Sequence, residues 1–483
     1  MTREDDRAIR RGSAASTRRK EAAGLMKSFV KTIHFVGIGG VGMSGIAEVL
    51  NNLGYRVSGS DMKSTEITRR LQACGARVHE GHDAAHVKGA QVVVVSSAVT
   101  ADNPELLYAR KKGIPVVLRA QMLAELGRMK KTVTVAGTHG KTTTTSMVAM
   151  ALSAAGADPT MIIGGQLKNI GTNAKLGVGE YLVAEADESD ASFLFLTPLV
   201  GVVTNIDDDH LDYYKTMDAL KDAFVAHLAR LPFYGAAILC ADDPVLMSLR
   251  PRVTRPVVSF GLNGDADWRA RGVRMTKYGS SCEVLHHGKR VLTLRLSVPG
   301  RHNVSNALGA LATGHFLGFD LKRLARGLSE FRGVGRRLDR LGGAGGVEFV
   351  DDYGHHPTEV RVTLSAVSGL WKAGRLIVVF QPHRFSRTKS LAKVFGPAFK
   401  GADFVWVMDI YAAGEKPIKG VSSKLILDSL AKAGVKAAAF PGALELAKQL
   451  KPKDVVLTLG AGDVWKVGED LLRRRRGQSA TPI

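Results

Sequence analysis

Along this chain, short runs of valine, isoleucine and leucine alternate with longer stretches of helical spacing, and many of the runs end in a polar cluster. From Lys31 to about Arg128 the runs include "YRVSGSD", "QVVVVSSAVT" and "IPVVLRA". Apolar runs that alternate with helical stretches predict a parallel sheet with crossover helices. A second series starts at Thr132 and contains "YLVAEADESD" and "LVGVVTNIDDDHLDYY". The Gly-rich "FRGVGRRLDRLGGAGGVEFV" breaks it, which predicts a linker near Val334. A third series follows in "RLIVVFQPHRFSRT", "DFVWVMDIYAAGE" and "DVVLTLGAGDVWKVGEDLL". The expectation is an α/β protein of three domains, 27–127, 128–333 and 334–483, after an extension, 1–26, that is disordered or precedes a true start at Met26.

In open α/β sheets ligands bind beyond the carboxyl ends of strands, so the residues just after each apolar run matter most. Glu185, Asp187, His210, Gln381, His383, Arg384 and Asp463 all fall there. Two of the strand ends are glycine turns that open a helix. In the first, Gly37, Gly39 and Gly42 satisfy G-x-G-x-x-G, and Asp61 follows the next strand at the interval of a dinucleotide fold. Alone, this motif suggests a nicotinamide-dependent dehydrogenase, but any turn that approaches a phosphate wants the same glycines.

The second turn, Gly137-Thr138-His139-Gly140-Lys141-Thr142, departs from the common phosphate loop, because Val135 stands where its first glycine belongs. The chemistry survives: backbone N–H groups and a helix dipole face phosphate, Lys141 neutralises the terminal groups, and the Thr142 hydroxyl can ligate Mg²⁺. ATP is therefore expected here, which a dehydrogenase leaves unexplained. Lys141 is read as an exposed loop residue that contributes little to the core. "EADESD" and "DDDHLD" also have a bland reading as helix caps and solvated acids, assigned here to Asp187, Glu188 and Asp190.

Composition narrows the setting. At 483 residues the chain exceeds one ordinary core, and 45% hydrophobic with 23% charged residues is usual for a globular protein. No apolar run approaches the length of about eighteen residues for a membrane span, so no membrane insertion is expected. The charged start has no hydrophobic middle and does not read as a secretory signal, which predicts a cytoplasmic protein. Cys74, Cys240 and Cys282 read as reduced structural thiols. The net charge of +22 is compatible with acidic partners, but Arg18, Arg19, Lys20 and the run Arg473 to Arg476 read as solvated tails. A nucleic-acid motor is disfavoured by the lack of an aromatic-rich strand-binding surface, so no nucleic-acid partner is expected. The remaining charge favours anionic small molecules.

Eight segments in one order resemble the Mur ligase family: "HFVGIGGVGMSGIAEVL", "GTHGKTTTT", "EADESDASF", "TNIDDDHLDYY", "PGRHNVSNALGA", "DDYGHHPTEV", "FQPHRFSRTKSL" and "YAAGEKPIKGVSS". The resemblance spans about residues 31 to 472, and the shortened phosphate loop is the family form. It implies a Rossmann-like N-terminal domain holding the UDP of a sugar nucleotide, a central P-loop ATPase-type domain, and a C-terminal Rossmann-like domain for the amino acid. The reaction implied is ATP-dependent amide formation between L-alanine and the lactyl carboxylate of UDP-N-acetylmuramate through an acyl phosphate, in peptidoglycan precursor synthesis.

Carried onto this sequence, the resemblance assigns the UDP-sugar to Gly37, Gly39, Gly40, Val41, Gly42, Met43, Ser44 and Asp61. It assigns ATP to Gly137, Thr138, His139, Gly140, Lys141, Thr142, Thr143 and Asn303, with Arg337 and Asp352 completing that site. Asn306 reads equally as a helix polar residue, and Arg336 and Asp351 stand as alternatives to their neighbours. Thr142, Glu185 and His210 match the family's magnesium ligands. His355, His356, Arg384 and Arg387 are candidates for the amino-acid carboxylate or the acyl phosphate, and one histidine of the pair could instead serve the turn before Pro357. The catalytic set expected is Lys141, Glu185, His210, His355 and Arg384, in a monomer or weak dimer.

Overall fold

The structure, a computed structural model, describes residues 24–96, 98–371 and 374–477. Most of the expected N-terminal extension lies outside the described residues, and Met26 falls in a short helix, Gly24–Phe29. The chain forms two compact units. One comprises residues up to Arg274 with Ser280–Val298 and His302–Arg332; the other comprises Met275–Gly279, Pro299–Arg301 and Gly333 onward.

The first unit holds two sheets. The N-terminal sheet comprises β1 (Thr32–Val36), β2 (Arg56–Asp61), β3 (Arg77–Glu80), β4 (Val92–Val95) and β5 (Val116–Leu118), ordered β3-β2-β1-β4-β5 and wholly parallel. All four residues of β4, "VVVV", are buried, as a central strand covered on both faces requires.

The central sheet has ten strands: β6 (Lys131–Ala136), β7 (Thr160–Leu167), β8 (Thr172–Lys175), β9 (Tyr181–Glu185), β10 (Val200–Val203), β11 (Ala236–Cys240), β12 (Val257–Gly261), β13 (Trp268–Thr276), β14 (Gly279–His286) and β15 (Lys289–Leu296). Their order is β15-β14-β13-β12-β11-β10-β6-β9-β7-β8. The middle is parallel as expected, but each end is not. β8 returns antiparallel on β7, and β15 on β14. The β14–β15 reversal is made by His287 and Gly288, both at positive φ (47° and 76°), the geometry of a tight two-residue hairpin.

One side chain fastens the two sheets. Asn173, on β8, donates from Nδ2 to the carbonyl of Val41 at 2.6 Å and accepts from Arg70 at 2.9 Å, while Arg70 also pairs with Glu48 at 3.0 Å. Val41 opens the helix Val41–Asn52 that follows the first glycine turn. Close packing confirms the fit: a Cβ on Gly45 of that helix would lie 3.2 Å from Asn173 and 3.3 Å from Ala174.

The second unit holds a six-stranded sheet: β16 (Asp339–Ala344), β17 (Val347–Asp352), β18 (Leu376–Phe380), β19 (Phe404–Val407), β20 (Ala437–Ala439) and β21 (Val455–Leu459), ordered β16-β17-β21-β18-β19-β20. The period of two along β18 sorts its side chains to opposite faces. Val378 and Phe380 enter one apolar cluster; Ile377 and Val379 enter the other. Each such burial contributes roughly 1.5–3 kcal/mol. The two units divide at Arg332 and Gly333, beside the expected linker near Val334, and the rest of that glycine-rich stretch belongs to the second unit. Phe331 and Val334 are buried. Gly345 and Gly346, at φ 57° and 75°, close an antiparallel β16–β17 hairpin, so the glycines mark a turn between strands.

The C-terminal basic run also departs from expectation. Arg473 to Arg475 belong to the helix Trp465–Arg475, with exposed Arg476 as its C-cap; Arg474 donates to the buried Asp470 at 2.8 Å and Arg475 donates to the carbonyls of Ala447 and Leu450. Of the three free cysteines, Cys240 and Cys282 are buried but Cys74 is exposed, so only two fit a core role. Among the described residues, no helix is long and apolar enough to cross a membrane.

Candidate active site

The second glycine turn sits between β6 and the helix Lys141–Ala154. Gly137 and Gly140 both have positive φ, 125° and 81°. A side chain on Gly137 has no room, since its Cβ would stand 2.2 Å from the Thr204 hydroxyl. The segment after β10 clamps the turn. The N–H of Thr138 donates to the Asn205 carbonyl, the N–H of His139 to Asn205 Oδ1 at 2.8 Å, and Thr204 Oγ1 to the His139 carbonyl at 2.6 Å. The His139 ring meets Asp207 at 2.9 Å. The turn thus aims the N-terminus of a fourteen-residue helix, with unsatisfied N–H groups and the positive dipole end, at one point.

Lys141 is not the exposed residue that its loop position suggests. Its side chain is 13% exposed, and Nζ donates to Glu188 Oε1 at 2.8 Å and to the carbonyls of Gly137 and Thr138. Burial works against the ammonium, but Glu188, Asp187 and Glu185 together hold its pKa above the ordinary lysine range. Glu188 therefore leaves the solvated-acid reading: it is 1% exposed, and its Oε2 is buried without a hydrogen-bond partner. The other two acids shape the loop rather than cap a helix: Asp187 Oδ1 accepts from the Ser189 N–H and Asp190 Oδ1 from the Ser192 N–H, while the helical turn Ser192–Phe195 opens at Ala191 with no side-chain cap.

The remaining residues of this group lie on the neighbouring elements. Thr142 and Thr143 are buried at the helix start. Glu185, the last residue of β9, accepts the Gly164 N–H at 3.0 Å. His210 Nε2 lies 3.8 Å from Glu188 and 3.7 Å from Asp209, and the residue sits at φ 61°. Asn303 and Asn306 are buried in the helix Arg301–Phe316, and a Cβ on Gly140 would stand 3.2 Å from Asn306 Oδ1. Asn306 thus borders the turn. A hydroxyl and carboxylates, one with an orphaned buried oxygen, form a donor set suited to a hard divalent cation such as Mg²⁺.

The first glycine turn is held from β2. The Ser60 carbonyl accepts the N–H groups of Gly37 and Ile38 at 2.9 and 3.0 Å, and Asp61 Oδ2 accepts that of Gly39 at 2.8 Å. Asp61 therefore shapes the turn itself. Gly40, Val41, Gly42, Met43 and Ser44 form the cap and first turn of the helix Val41–Asn52. A Cβ on Gly42 would meet Arg119 at 3.1 Å, and Arg119 reaches Asp187 at 3.9 Å, so one arginine links the first glycine turn to the acidic segment after β9.

In the second unit the strand ends gather histidines and arginines. Arg336 is committed: it pairs with Asp351 at 3.1 Å and donates to the carbonyls of Gly462 and Gly460. Arg337 stacks over Tyr353, its guanidinium carbon 4.8 Å from the ring centroid, and stands 4.0 Å from Glu359. Asp352 spends its oxygens on the N–H groups of Leu338 and Gly354 and on the Thr363 hydroxyl. Burial lifts its carboxyl above the ordinary range. His356 caps the helix Pro357–Leu370 and is buried, which matches the structural role left open for one histidine.

His355 donates from Nδ1 to the Tyr353 carbonyl and lies 5.5 Å from His383, which stacks on Tyr411. Arg387 approaches His383 Nδ1 at 3.4 Å. Burial and then the neighbouring charges of His355, Arg387 and Arg384 push His383 down to about 3, so it stays neutral. Arg384 caps the helix Phe385–Ala398 at φ 70°, strained for a residue with a side chain.

A phosphate loop with a buried lysine and acidic strand ends defines an ATP-using enzyme of the α/β class. Three family models match in order: "Mur ligase family, catalytic domain" over residues 32–131, "Mur ligase middle domain" over 135–314 and "Mur ligase, glutamate ligase domain" over 336–462. A UDP-N-acetylmuramate–L-alanine ligase of Endomicrobium trichonymphae is 53% identical over 442 residues, 92% of this chain and 98% of that protein. One from Geobacter sp. strain M21 is 51% identical over 450 residues, again 92% and 98%. The crystal structure of a UDP-N-acetylmuramate-alanine ligase from Thermotoga maritima is similar at TM-score 0.79 and 31% identity, covering 92% of this chain and 99% of the other. The chain belongs to the Mur ligase family.

Proposed function

We propose that the protein joins L-alanine to the lactyl carboxylate of UDP-N-acetylmuramate, giving UDP-N-acetylmuramoyl-L-alanine, ADP and phosphate in peptidoglycan precursor synthesis. The observation that carries this reading is 53% identity with a ligase of that name across nearly the full length of both chains. The two glycine turns support it, because the reaction brings together two different nucleotides.

A carboxylate is a poor electrophile and is repelled by ATP, so charge neutralisation and positioning must supply most of the catalysis. One carboxylate oxygen attacks the γ-phosphorus, the bond to the β-phosphate bridging oxygen breaks, and ADP leaves. The amine of L-alanine then attacks the acyl carbon, and phosphate departs with the oxygen that came from the carboxylate. Lys141 neutralises the β- and γ-phosphates, and the turn Gly137 to Thr143 cradles them with the N–H groups that open the helix Lys141–Ala154, with Asn303 near the adenine. Gly37, Gly39, Gly40, Val41, Gly42, Met43 and Ser44, with Asp61 behind them, hold the UDP. His355, Arg384 and Arg387 receive the amino-acid carboxylate or the acyl phosphate, for which arginine offers a bidentate fork. Thr142, Glu185 and His210 would hold Mg²⁺, which when bound neutralises charge on the phosphate oxygens. The protein acts in the cytoplasm as a monomer or weak dimer.

The test is phosphate release with ¹⁸O in the lactyl carboxylate. Release should require UDP-N-acetylmuramate, L-alanine and ATP together, and the phosphate should carry the label. Unlabelled phosphate, or stimulation by a free muropeptide tripeptide in place of alanine, would displace the reading.

A further inference from the structure

One buried polar cluster is not used by the chemistry above. Glu105, two residues into the helix that follows β4, is fully buried. Its Oε2 accepts from Ser60 Oγ at 2.6 Å and lies 3.2 Å from His82 Nδ1; its Oε1 lies 3.0 Å from His86 Nδ1 and 3.6 Å from His34 Nε2. His34 is fixed in turn by Ser58 at 2.9 Å, and His86 stacks on His79 at 4.1 Å. An ionised carboxylate has about four acceptor positions; Ser60, His82 and His86 stand at hydrogen-bond distance from this one, and His34 Nε2 lies just beyond. Burial pushes the Glu105 carboxyl up, but the facing His34, Ser60 and His86 outweigh it and bring it down to about 2.

The purpose of so costly a group is read from Ser60. The carbonyl of that residue takes the N–H groups of Gly37 and Ile38, and the next residue, Asp61, takes that of Gly39. Three successive amides of the first glycine turn are thus set by Ser60 and Asp61, and the Ser60 side chain is set by Glu105. We propose that Glu105 is a positioning residue for the sugar nucleotide: through Ser60 it fixes the glycine turn in the geometry that presents the start of the helix Val41–Asn52 to the pyrophosphate, with His82 and His86 at hydrogen-bond distance orienting the carboxylate. This rests on the reading of that turn as the UDP cradle. A network that merely stabilised the sheet would leave nucleotide affinity untouched.

The experiment uses the full chain with the variants Glu105→Gln, Ser60→Ala and the pair combined. UDP binding is measured by calorimetry, and KM for each substrate by phosphate release. Expected for each single variant is a rise of about tenfold in the UDP Kd and the UDP-N-acetylmuramate KM, the scale on which sub-ångström misplacement acts. The kcat and the KM values for ATP and alanine should stay within about twofold, and the pair should be no worse than either alone, because both act through one path. UDP affinity unchanged in a folded Glu105→Gln or Ser60→Ala protein overturns the proposal, as does a uniform loss across all three substrates. If Glu105→Gln does not fold, Ser60→Ala decides by the same criteria. Failure of the parent protein to bind UDP at all would instead remove the cradle reading, and the proposal with it.

Discussion

At the scale of single residues, the pairing of Lys141 with Glu188 has two consequences that pull apart. Removing the lysine should cost about 10³-fold in turnover, because a preorganised cation at developing charge is lost. It should also destabilise the protein by about 3 kcal/mol, since a buried carboxylate loses its partner. Adding Glu188→Gln to Lys141→Ala should recover most of the stability and none of the activity. Urea unfolding beside ATP turnover measures both, and a double variant no more stable than Lys141→Ala would dismiss the pairing as a source of stability. This residue also shows where the sequence runs out. The lysine, threonine and glycines are local turn chemistry and could be named from nine consecutive letters. The acid that buries the lysine lies 47 positions away, in a cluster whose composition reads equally well as a solvated loop. Glu105 is harder still, because nothing near it in the chain announces its histidines.

At the scale of elements, apolar runs made the parallel strands legible, while glycines were ambiguous. Gly345 and Gly346 resemble a linker in composition, yet their left-handed backbone serves a hairpin. Contacts between elements were not legible at all, and His227 is a measurable instance. It lies on the helix Met217–Ala229, takes the Thr134 hydroxyl of β6 on Nε2 at 3.2 Å, and donates from Nδ1 to the Phe193 carbonyl at 3.1 Å. Burial pushes this imidazole from its ordinary 6.5 down to about 4. The unfolded chain therefore binds a proton in that interval when the folded one does not. Stability from this group is fully present above pH 6.5 and is lost as pH falls through 4, by about 3 kcal/mol in all. His227→Gln should flatten the pH dependence of unfolding free energy across that window. An identical slope in the variant would show that other groups govern it.

For the whole molecule, a net charge of +22 says less about partners than about anchoring. Arg475 reads as part of a solvated tail, yet it fastens the last helix to the carbonyls that end the helix Ala443–Gln449. Arg475→Ala should lower stability by about 1–3 kcal/mol by leaving those carbonyls short of a donor. Arg301→Ala, on an exposed residue, should change it by less than about 0.5 kcal/mol. Thermal unfolding of the two variants separates the cases, and equal midpoints would return Arg475 to the solvent.

Asn173 bears on how such enzymes can be recombined. Its amide grips the opening of the helix after the first glycine turn, although it belongs by chain order to a hairpin more than a hundred residues later. A graft that exchanges only the N-terminal sheet between relatives would sever that grip at its donor's end. The exchangeable block runs through Lys175, and crossovers placed beyond the hairpin should yield working chimeras more often than those placed at the apparent boundary.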